Sequence, residues 1–424
     1  MAQVEALVPP ARRAAVPQPE PGLTPQTLIA RASALVPVLR EQQEASDQRG
    51  YYSDPIHKAF LEGGLYRILQ PRLFGGYEMD FVTFIKVIME ISRGHPSAGW
   101  CYTLASSHAL LVGSHWSAEA QRELFGPTGD FRAPHRAAPA GTFTRSDGGY
   151  IVSGVWSYSS GVPVSTHFIG GSLIAGSDGK PRMVNFIVPR DKVTVLQDWG
   201  GGAALGMEGS GSHSVKIHEV FVPDRHVTSW NVILTLEDFS TGTPGTRLHG
   251  NPMYLGVVGG LYHTTFGAML TGTARAALEE YEQIIRTKKV LGNPALLRMN
   301  DPESQRAFGK AMALTDMAEA STLAAAHMYH EQCNRWAKDG TPITTADTLR
   351  MWTLAQEACL TACQAVELLF HTGGATAANR GQRLQRYFRD VQMYRVHPSS
   401  QPGISMLRGQ AYLGLPVVFG GPPP

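Results

Sequence analysis

Two changes of residue pattern, one near residue 130 and one past about 255, limit the fold of this chain more than any other feature. Before the first change, apolar residues recur at helical spacing. Thr24-Pro25 reads as an N-cap followed by proline at the first helical position. Leu28, Ala32, Leu35 and Leu39 then share one face, and Pro37 should kink that helix. After a loop over 71–76 (PRLFGG), a second helical block runs over roughly 80–125.

Between about 130 and 235 the signals are those of strands. Asp147-Gly148-Gly149 and Ser177-Asp178-Gly179 are turns between runs rich in Val, Ile, Phe and Tyr. Val215 and Ile217 alternate, then the phase slips at Val220 and Val222, which predicts a bulge or the strand's end. After about 255 the helical spacing returns. Ala274, Ala277, Leu278, Tyr281, Ile284 and Ile285 form one stripe, and Asp301-Pro302-Glu303 opens another helix. Leu349, Trp352, Ala355, Cys359, Cys363, Val366 and Phe370 form a third stripe, closed by Gly373-Gly374. Long amphipathic helices of this kind pack as a bundle. The expected architecture is α+β. It has a mobile Ala/Pro-rich arm over 1–23, a helical domain over 24–130 and a central β domain over 131–235. A helical bundle over 236–400 and a C-terminal tail over 401–424 complete it.

Composition narrows the function classes. Lys+Arg is 37 against Asp+Glu 35, too even for a nucleic-acid face. No apolar run reaches the roughly 18 residues of a membrane helix. Pro-rich sequence stands where a signal peptide would need an apolar stretch, so a cytoplasmic protein is expected. The 4 cysteines, Cys101, Cys333, Cys359 and Cys363, are too scattered for a disulfide framework.

No P-loop, dinucleotide fingerprint or zinc-type cysteine pairing is present. Gly209-Ser210-Gly211 lacks the strand and helix that a phosphate loop requires. His327, His330 and Cys333 recur every three residues, a spacing that reads first as packing or surface rather than metal ligation. Cys359 and Cys363 lie on an apolar stripe and read as core. Three further segments stay open on residues alone. His108 ends Ser106-Ser107-His108 in an apolar stretch and reads first as a core histidine. Trp156 to Gly161 (WSYSSG) is a polar turn at a strand's end. His397, between Arg389-Asp390 and Pro398, reads as a histidine at a helix exit. Composition and spacing stop short of a reaction.

Taken together, these segments resemble the acyl-CoA dehydrogenase superfamily over roughly residues 25–415. Gly64-Leu65, Pro71 and Gly75-Gly76 are similar to its N-terminal domain, and Val220-Phe221-Val222-Pro223 to the strand that closes its β domain. Gly373-Gly374 and Arg389-Asp390 match its last two helices. In many of its dehydrogenases the run after Arg-Asp ends Tyr-x-Ile-Tyr-Glu-Gly-Thr, and the Glu is the base. Here Tyr394 matches the first Tyr, His397 falls on the second, and Pro398 replaces the Glu. Proline cannot accept a proton. The chain instead resembles the oxygenase components of two-component flavin monooxygenases. They share a W-x-x-S-S-G segment (Trp156 to Gly161), a Phe-x-Gly-Gly (Phe168 to Gly171) and a glycine loop (Gly206 to Ser212). They also share histidines at the His108 and His397 positions. Glu208 and Gln392 depart from one member of that branch, which carries Arg and His there.

That resemblance implies reduced FMN or FAD, supplied by a separate NAD(P)H-dependent flavin reductase, with O2 as co-substrate. A flavin C4a-hydroperoxide would then hydroxylate an aromatic small molecule, phenolic or polycyclic. The implied roles are His397 as donor to the peroxide or flavin edge and His108 facing the substrate. Ser159 and Ser160 would hold the isoalloxazine, Trp156 would shape its pocket, and Arg286 would meet the flavin phosphate. A homotetramer is implied and no metal is called for. The rival readings are an N-oxygenase of an amine or amino sugar, an acyl-CoA dehydrogenase with its base elsewhere, and a non-catalytic relative.

Overall fold

Thr24 Oγ1 accepts the Thr27 N–H at 3.1 Å and opens α1 (Pro25–Ala34), a cap worth about 1 kcal/mol. The helix stops at Leu35. α2 (Val36–Glu41) starts afresh with Pro37 in its first turn, because proline has no N–H to continue the ladder. The helical path is interrupted at Leu35, which keeps right-handed helical dihedrals, φ −85° and ψ −9°. α3 (Gln43–Arg49), α4 (Asp54–Glu62), α5 (Phe81–Gly94), α6 (Pro96–Ser106), α7 (His108–His115) and α8 (Ala118–Phe125) complete the first block. The computed structural model describes residues 19–126, 128–176, 179–229, 241–400 and 402–417. The arm over 1–18, the Ser177-Asp178 part of one expected turn and the tail over 418–424 lie outside the described residues.

Two four-stranded sheets form the middle of the chain. One has the order β1 (His135–Pro139), β4 (His167–Ala175), β5 (Pro181–Pro189), β8 (Val227–Ser229). The other runs β2 (Thr142–Ser146), β3 (Gly149–Trp156), β7 (Val215–Pro223), β6 (Thr194–Val195). The phase slip read in the sequence is a bulge. Val152 pairs with Val220 and Gly154 with Ile217, so His218 and Glu219 both oppose Ser153. The Ser153 hydroxyl accepts the displaced Glu219 N–H at 2.8 Å. Val152, Trp156, Phe168, Phe186 and Val215 fill the space between the sheets. Ile169 and Ile187, on the other face of the first sheet, pack with Val112, Phe125 and Phe131. That contact seats the β domain on the N-terminal helices.

α9 (Pro244–His249) leads to α10 (Leu261–Thr287), α11 (Pro302–Asp339), α12 (Thr345–Thr372) and α13 (Arg383–Arg395). A short hairpin of β9 (Lys289–Val290) and β10 (Asn293–Leu297) joins α10 to α11. Asp301 caps α11 through the Ser304 N–H at 2.9 Å, and Thr344 with Asp347 forms a reciprocal capping box on α12. α10 packs against α5, α11 and α12. At Gly272 a Cβ would lie 2.3 Å from the Met89 carbonyl, so only glycine admits the α5–α10 approach. One apolar cluster runs from Leu28 through Tyr102 and Met269 to Tyr394. The first and last helical blocks thus share a core, with α6 inside it. Part of the expected tail is helical. α14 (Gly403–Tyr412) lies on α12, where Arg408 donates to Thr353 Oγ1 at 2.7 Å. Among the described residues no helix is long and apolar enough to cross a membrane.

Candidate active site

α6 is the spine of the site. Its small residues let neighbours approach closely: at Gly99 a Cβ would collide with Ser92 Oγ. Trp100 of α6 stacks flat on Phe266 of α10 at 4.9 Å and 1°. Both rings meet the His397 imidazole edge-on, at 5.7 Å each. His397 leaves α13 in the short turn Pro398–Ser400; Pro398, which cannot continue a helix, helps to end it. The Ser399 N–H points at His397 Nδ1 at 3.1 Å. A backbone N–H only donates, so Nδ1 must be the acceptor, and in the neutral ring the hydrogen is assigned to Nε2. Burial, and then the positive charge of Arg136, push this imidazole down to about 4. At neutral pH His397 is an uncharged donor through Nε2.

His108, the first residue of α7, has the opposite polarity. Its Nδ1 lies 2.8 Å from the Leu104 carbonyl and 2.7 Å from the Ala133 carbonyl. Carbonyls only accept, so Nδ1 carries the hydrogen and Nε2 keeps its lone pair. Burial pushes this ring down to about 4 as well. His108 is therefore a neutral acceptor through Nε2. His135 of β1 meets it at a right angle, ring centres 5.3 Å apart, and bonds Asn185 Oδ1 at 3.0 Å. Tyr262 of α10 lies 5.1 Å away. Tyr262 and Phe266 are one turn apart, about 6 Å of rise, so successive turns of α10 connect the two histidines. Neither Nε2 has a hydrogen-bond partner among the described residues.

The Trp156–Gly161 segment lies along the other side of α6. Gly161 has φ +87°, and a Cβ there would sit 2.8 Å from the Cys101 carbonyl. Its N–H bonds the carbonyls of Ser210 and Gly211 in the glycine loop. Ser160, Ser212 and Ser210 form a chain of hydroxyls with two links of 2.6 Å. Three hydroxyls carry three protons and two links use two, which leaves one to donate outward. The neighbouring residues are occupied differently from the expectation. The Trp156 indole bonds the Gly171 carbonyl at 2.9 Å and packs against Phe168 and Phe186 between the sheets. The Ser159 hydroxyl donates to the Trp156 carbonyl at 3.0 Å and is fully buried. Both hold the segment in shape, while Ser160 shares the one unspent proton with Ser212 and Ser210.

Arg286 is not brought to this site. It lies at the far end of α10, exposed, paired with Glu282 at 2.8 Å, roughly 30 Å along the helix from Phe266. Glu208 accepts the Gly202 N–H at 3.1 Å and pairs with Arg389 at 3.3 Å, so it braces the loop. Gln392 donates to Glu367 at 3.0 Å between α13 and α12. His330 accepts the Phe81 N–H at 2.7 Å, and Cys333, Cys359 and Cys363 are buried free thiols. Trp100, His135, Tyr262 and Phe266 were not singled out in the sequence. The i, i+4 aromatic pair Tyr262/Phe266 was the one signal that could have found half of them.

Asp390 ties the glycine loop to α13. Its Oδ1 accepts the Met207 N–H at 2.6 Å, at a residue held at φ +54°. Burial and the nearby Asp47 carboxylate raise Asp390 to about 7. Asp47 stays ionised against His95 and Arg386, which it meets at 2.9 Å.

Two domain models match the chain, acyl-CoA dehydrogenase N-terminal domain over residues 32–128 and C-terminal domain over residues 264–402. Together they cover more than half of it, and the chain belongs to the acyl-CoA dehydrogenase family. Within that family it is an oxygenase component of the flavin-dependent monooxygenase branch. The oxygenase subunit HsaA of a flavin-dependent monooxygenase from Rhodococcus jostii (strain RHA1) is 29% identical over 392 residues, 91% of this chain and 98% of that protein. The p-hydroxyphenylacetate 3-hydroxylase oxygenase component of Acinetobacter baumannii is 23% identical, over 97% of this chain and 94% of its own. The crystal structure of 3-HSA hydroxylase from Rhodococcus sp. RHA1 superposes with a TM-score of 0.82 at 27% identity, over 92% of this chain and 98% of that one.

Proposed function

We propose that this protein hydroxylates a phenolic or polycyclic aromatic small molecule with O2 and reduced FMN or FAD. The observation that carries the reading is the pair of opposed neutral imidazoles, His108 accepting and His397 donating, across adjacent turns of α10. Hydroxylating relatives, one of them a p-hydroxyphenylacetate hydroxylase, support the substrate class.

The residues fit a flavin. The serine chain ending at Ser160 has an unspent hydroxyl proton beside the glycine loop, and the flat stack of Trp100 on Phe266 makes a dry wall. Reduced flavin, when bound, would supply the two electrons that activate O2, and one oxygen atom of O2 would go to the substrate while the other leaves as water. Ser160 would donate to the flavin ring, while Trp156 and Ser159 keep that segment in place. His397 Nε2–H would be the donor available to the oxygen being delivered. Its depressed basicity keeps it a hydrogen-bond donor rather than a charged acid. His108 Nε2 accepts the substrate's phenol hydrogen, which raises electron density on the ring being attacked. Trp100 and Phe266 exclude water from the same space. Pro398 stands where many dehydrogenases of the family carry their glutamate base, so that position offers no carboxylate for α-proton abstraction.

Arg286 cannot reach this site within one subunit. In the homotetramer of this reading Arg286 would meet the flavin phosphate only across a subunit contact. A separate NAD(P)H-dependent flavin reductase delivers the cofactor. A cytoplasmic setting suits both NAD(P)H and four free thiols.

The test is to load the protein anaerobically with reduced FMN or FAD and mix it with oxygenated buffer by stopped flow. A long-lived transient absorbance preceding the oxidised-flavin spectrum is expected. Immediate reoxidation with both flavins would remove the reading.

A further inference from the structure

Three helices converge on one carbonyl beside His397. The Ser399 C=O accepts Gln356 Nε2 of α12 at 2.7 Å, His263 Nε2 of α10 at 3.1 Å and Tyr394 Oη of α13 at 3.4 Å. Gln356 and His263 are buried. A carbonyl has two lone pairs and rarely takes three donors, so this one is held unusually firmly. The same residue's N–H is the donor to His397 Nδ1. The clamped oxygen belongs to the peptide after Ser399 and the N–H to the peptide before it. The clamp therefore holds Ser399 in place and its N–H follows through that residue's own φ and ψ, within a turn also closed by the Ser400 N–H on the His397 carbonyl at 2.9 Å.

We propose that Gln356, with His263, is a positioning residue that sets the tautomer of His397 by holding Ser399 in register. The inference rests on the function proposed above only for its catalytic consequence. The Gln356–Ser399 bond is the shortest of the three and joins α12 to the turn. Without it, the turn loosens and Ser399 N–H leaves Nδ1. The ring then distributes its hydrogen over both nitrogens, and Nε2 becomes a donor only part of the time. A lost donor at Nδ1 also removes a contact that disfavours protonation there, so the ring becomes easier to charge.

The experiment uses the full chain with 15N-labelled histidine, the His397 signal being the one absent from His397→Asn. In the unmodified protein His397 shows one neutral tautomer, hydrogen on Nε2. In Gln356→Leu both tautomers appear and the ring titrates at higher pH. With reduced flavin and substrate, that variant also releases several-fold more hydrogen peroxide per product while the substrate KM stays put. Gln356→Glu provides the control that keeps the shape. Its carboxyl, protonated, still donates to Ser399 and retains the single tautomer. Ionised at higher pH, it behaves as Gln356→Leu. A folded Gln356→Leu protein that keeps the single tautomer and the original titration overturns the proposal. So does a Gln356→Glu protein whose His397 signal is indifferent to pH between those two states, should the leucine variant not fold. Absence of any hydroxylated product from the unmodified protein would strike the proposed function, and the histidine spectra would still decide the role of Gln356.

Discussion

His108 and His397 are the same ring, one fully buried and the other partly so, and the backbone around each makes them chemical opposites. His108 grows out of two regular elements, with its Nδ1 between the carbonyl of Leu104 on α6 and that of Ala133 before β1. His397 sits on a short turn whose N–H groups face inward, and Ser399 takes its Nδ1 from the other side. Two carbonyls make an acceptor of Nε2 and one amide makes a donor of it. Sequence motifs name the histidine, whereas the neighbouring backbone assigns its role.

The sharpest way to break the contrast is to remove the donor. His397→Ala is expected to fold normally, because the ring is only partly buried on a turn. Hydroxylated product per flavin oxidised should fall by about 100-fold or more, with hydrogen peroxide appearing in its place. Product analysis alongside peroxide assay decides it, and unchanged coupling would take His397 out of the mechanism. The acceptor should matter differently. His108→Asn keeps polarity but misplaces the lone pair, and is expected to slow hydroxylation about tenfold, the worth of roughly one strong hydrogen bond. Peroxide leakage should change little. Equal uncoupling in both variants would mean that the two rings do not divide the work.

A third prediction uses what the two histidines share. His108, His115, His263 and His397 are each pushed to about 4, first by burial, from an unfolded value near 6.5. The unfolded chain therefore binds protons that the folded protein refuses between those values. Stability should be fully present above pH 6.5 and fall progressively as pH drops toward 4. Denaturant midpoints measured from pH 7.5 to 4.5 test this, and a flat profile would show that the rings charge in place. His108→Asn should soften the slope.

Much of the fold was readable in advance because long helices repeat their apolar spacing and announce their ends. Thr24 and Asp301 act as caps, and the Val220 phase slip is a real bulge; the Thr344 cap was not read in the sequence. The site was readable only in part. His397 and Ser160 stand in local motifs that survive as segments. Trp156 and Ser159 share the same motif, yet their side chains hold the turn together, because a turn pattern does not reveal which side chains face outward. Gln356, His263 and Tyr262 lie in ordinary helical stripes. Their significance arises only when α10, α12 and α13 meet, a tertiary event that spacing within one helix does not encode.

The smallest expected effect concerns the glycine loop rather than the histidines, and runs the opposite way with pH. Asp390 is raised to about 7 by burial and then by Asp47, against an unfolded value of 3.8, with Met207 N–H, Arg386 and Arg389 opposing the shift. Below 3.8 both states hold the proton and nothing changes. Between 3.8 and 7 the unfolded chain ionises first, so this group lowers stability as pH rises through that window. Asp390→Asn keeps an Oδ1 to accept the Met207 N–H and cannot ionise. It is expected to leave stability at pH 4 nearly unchanged and to raise it at pH 7.5, by an amount that calorimetry at the two pH values reads directly. Equal effects at both would mean that Asp390 is ionised throughout in the folded protein, its charge already balanced by Arg386. The Met207 N–H of the glycine loop would then bond a carboxylate rather than a protonated acid.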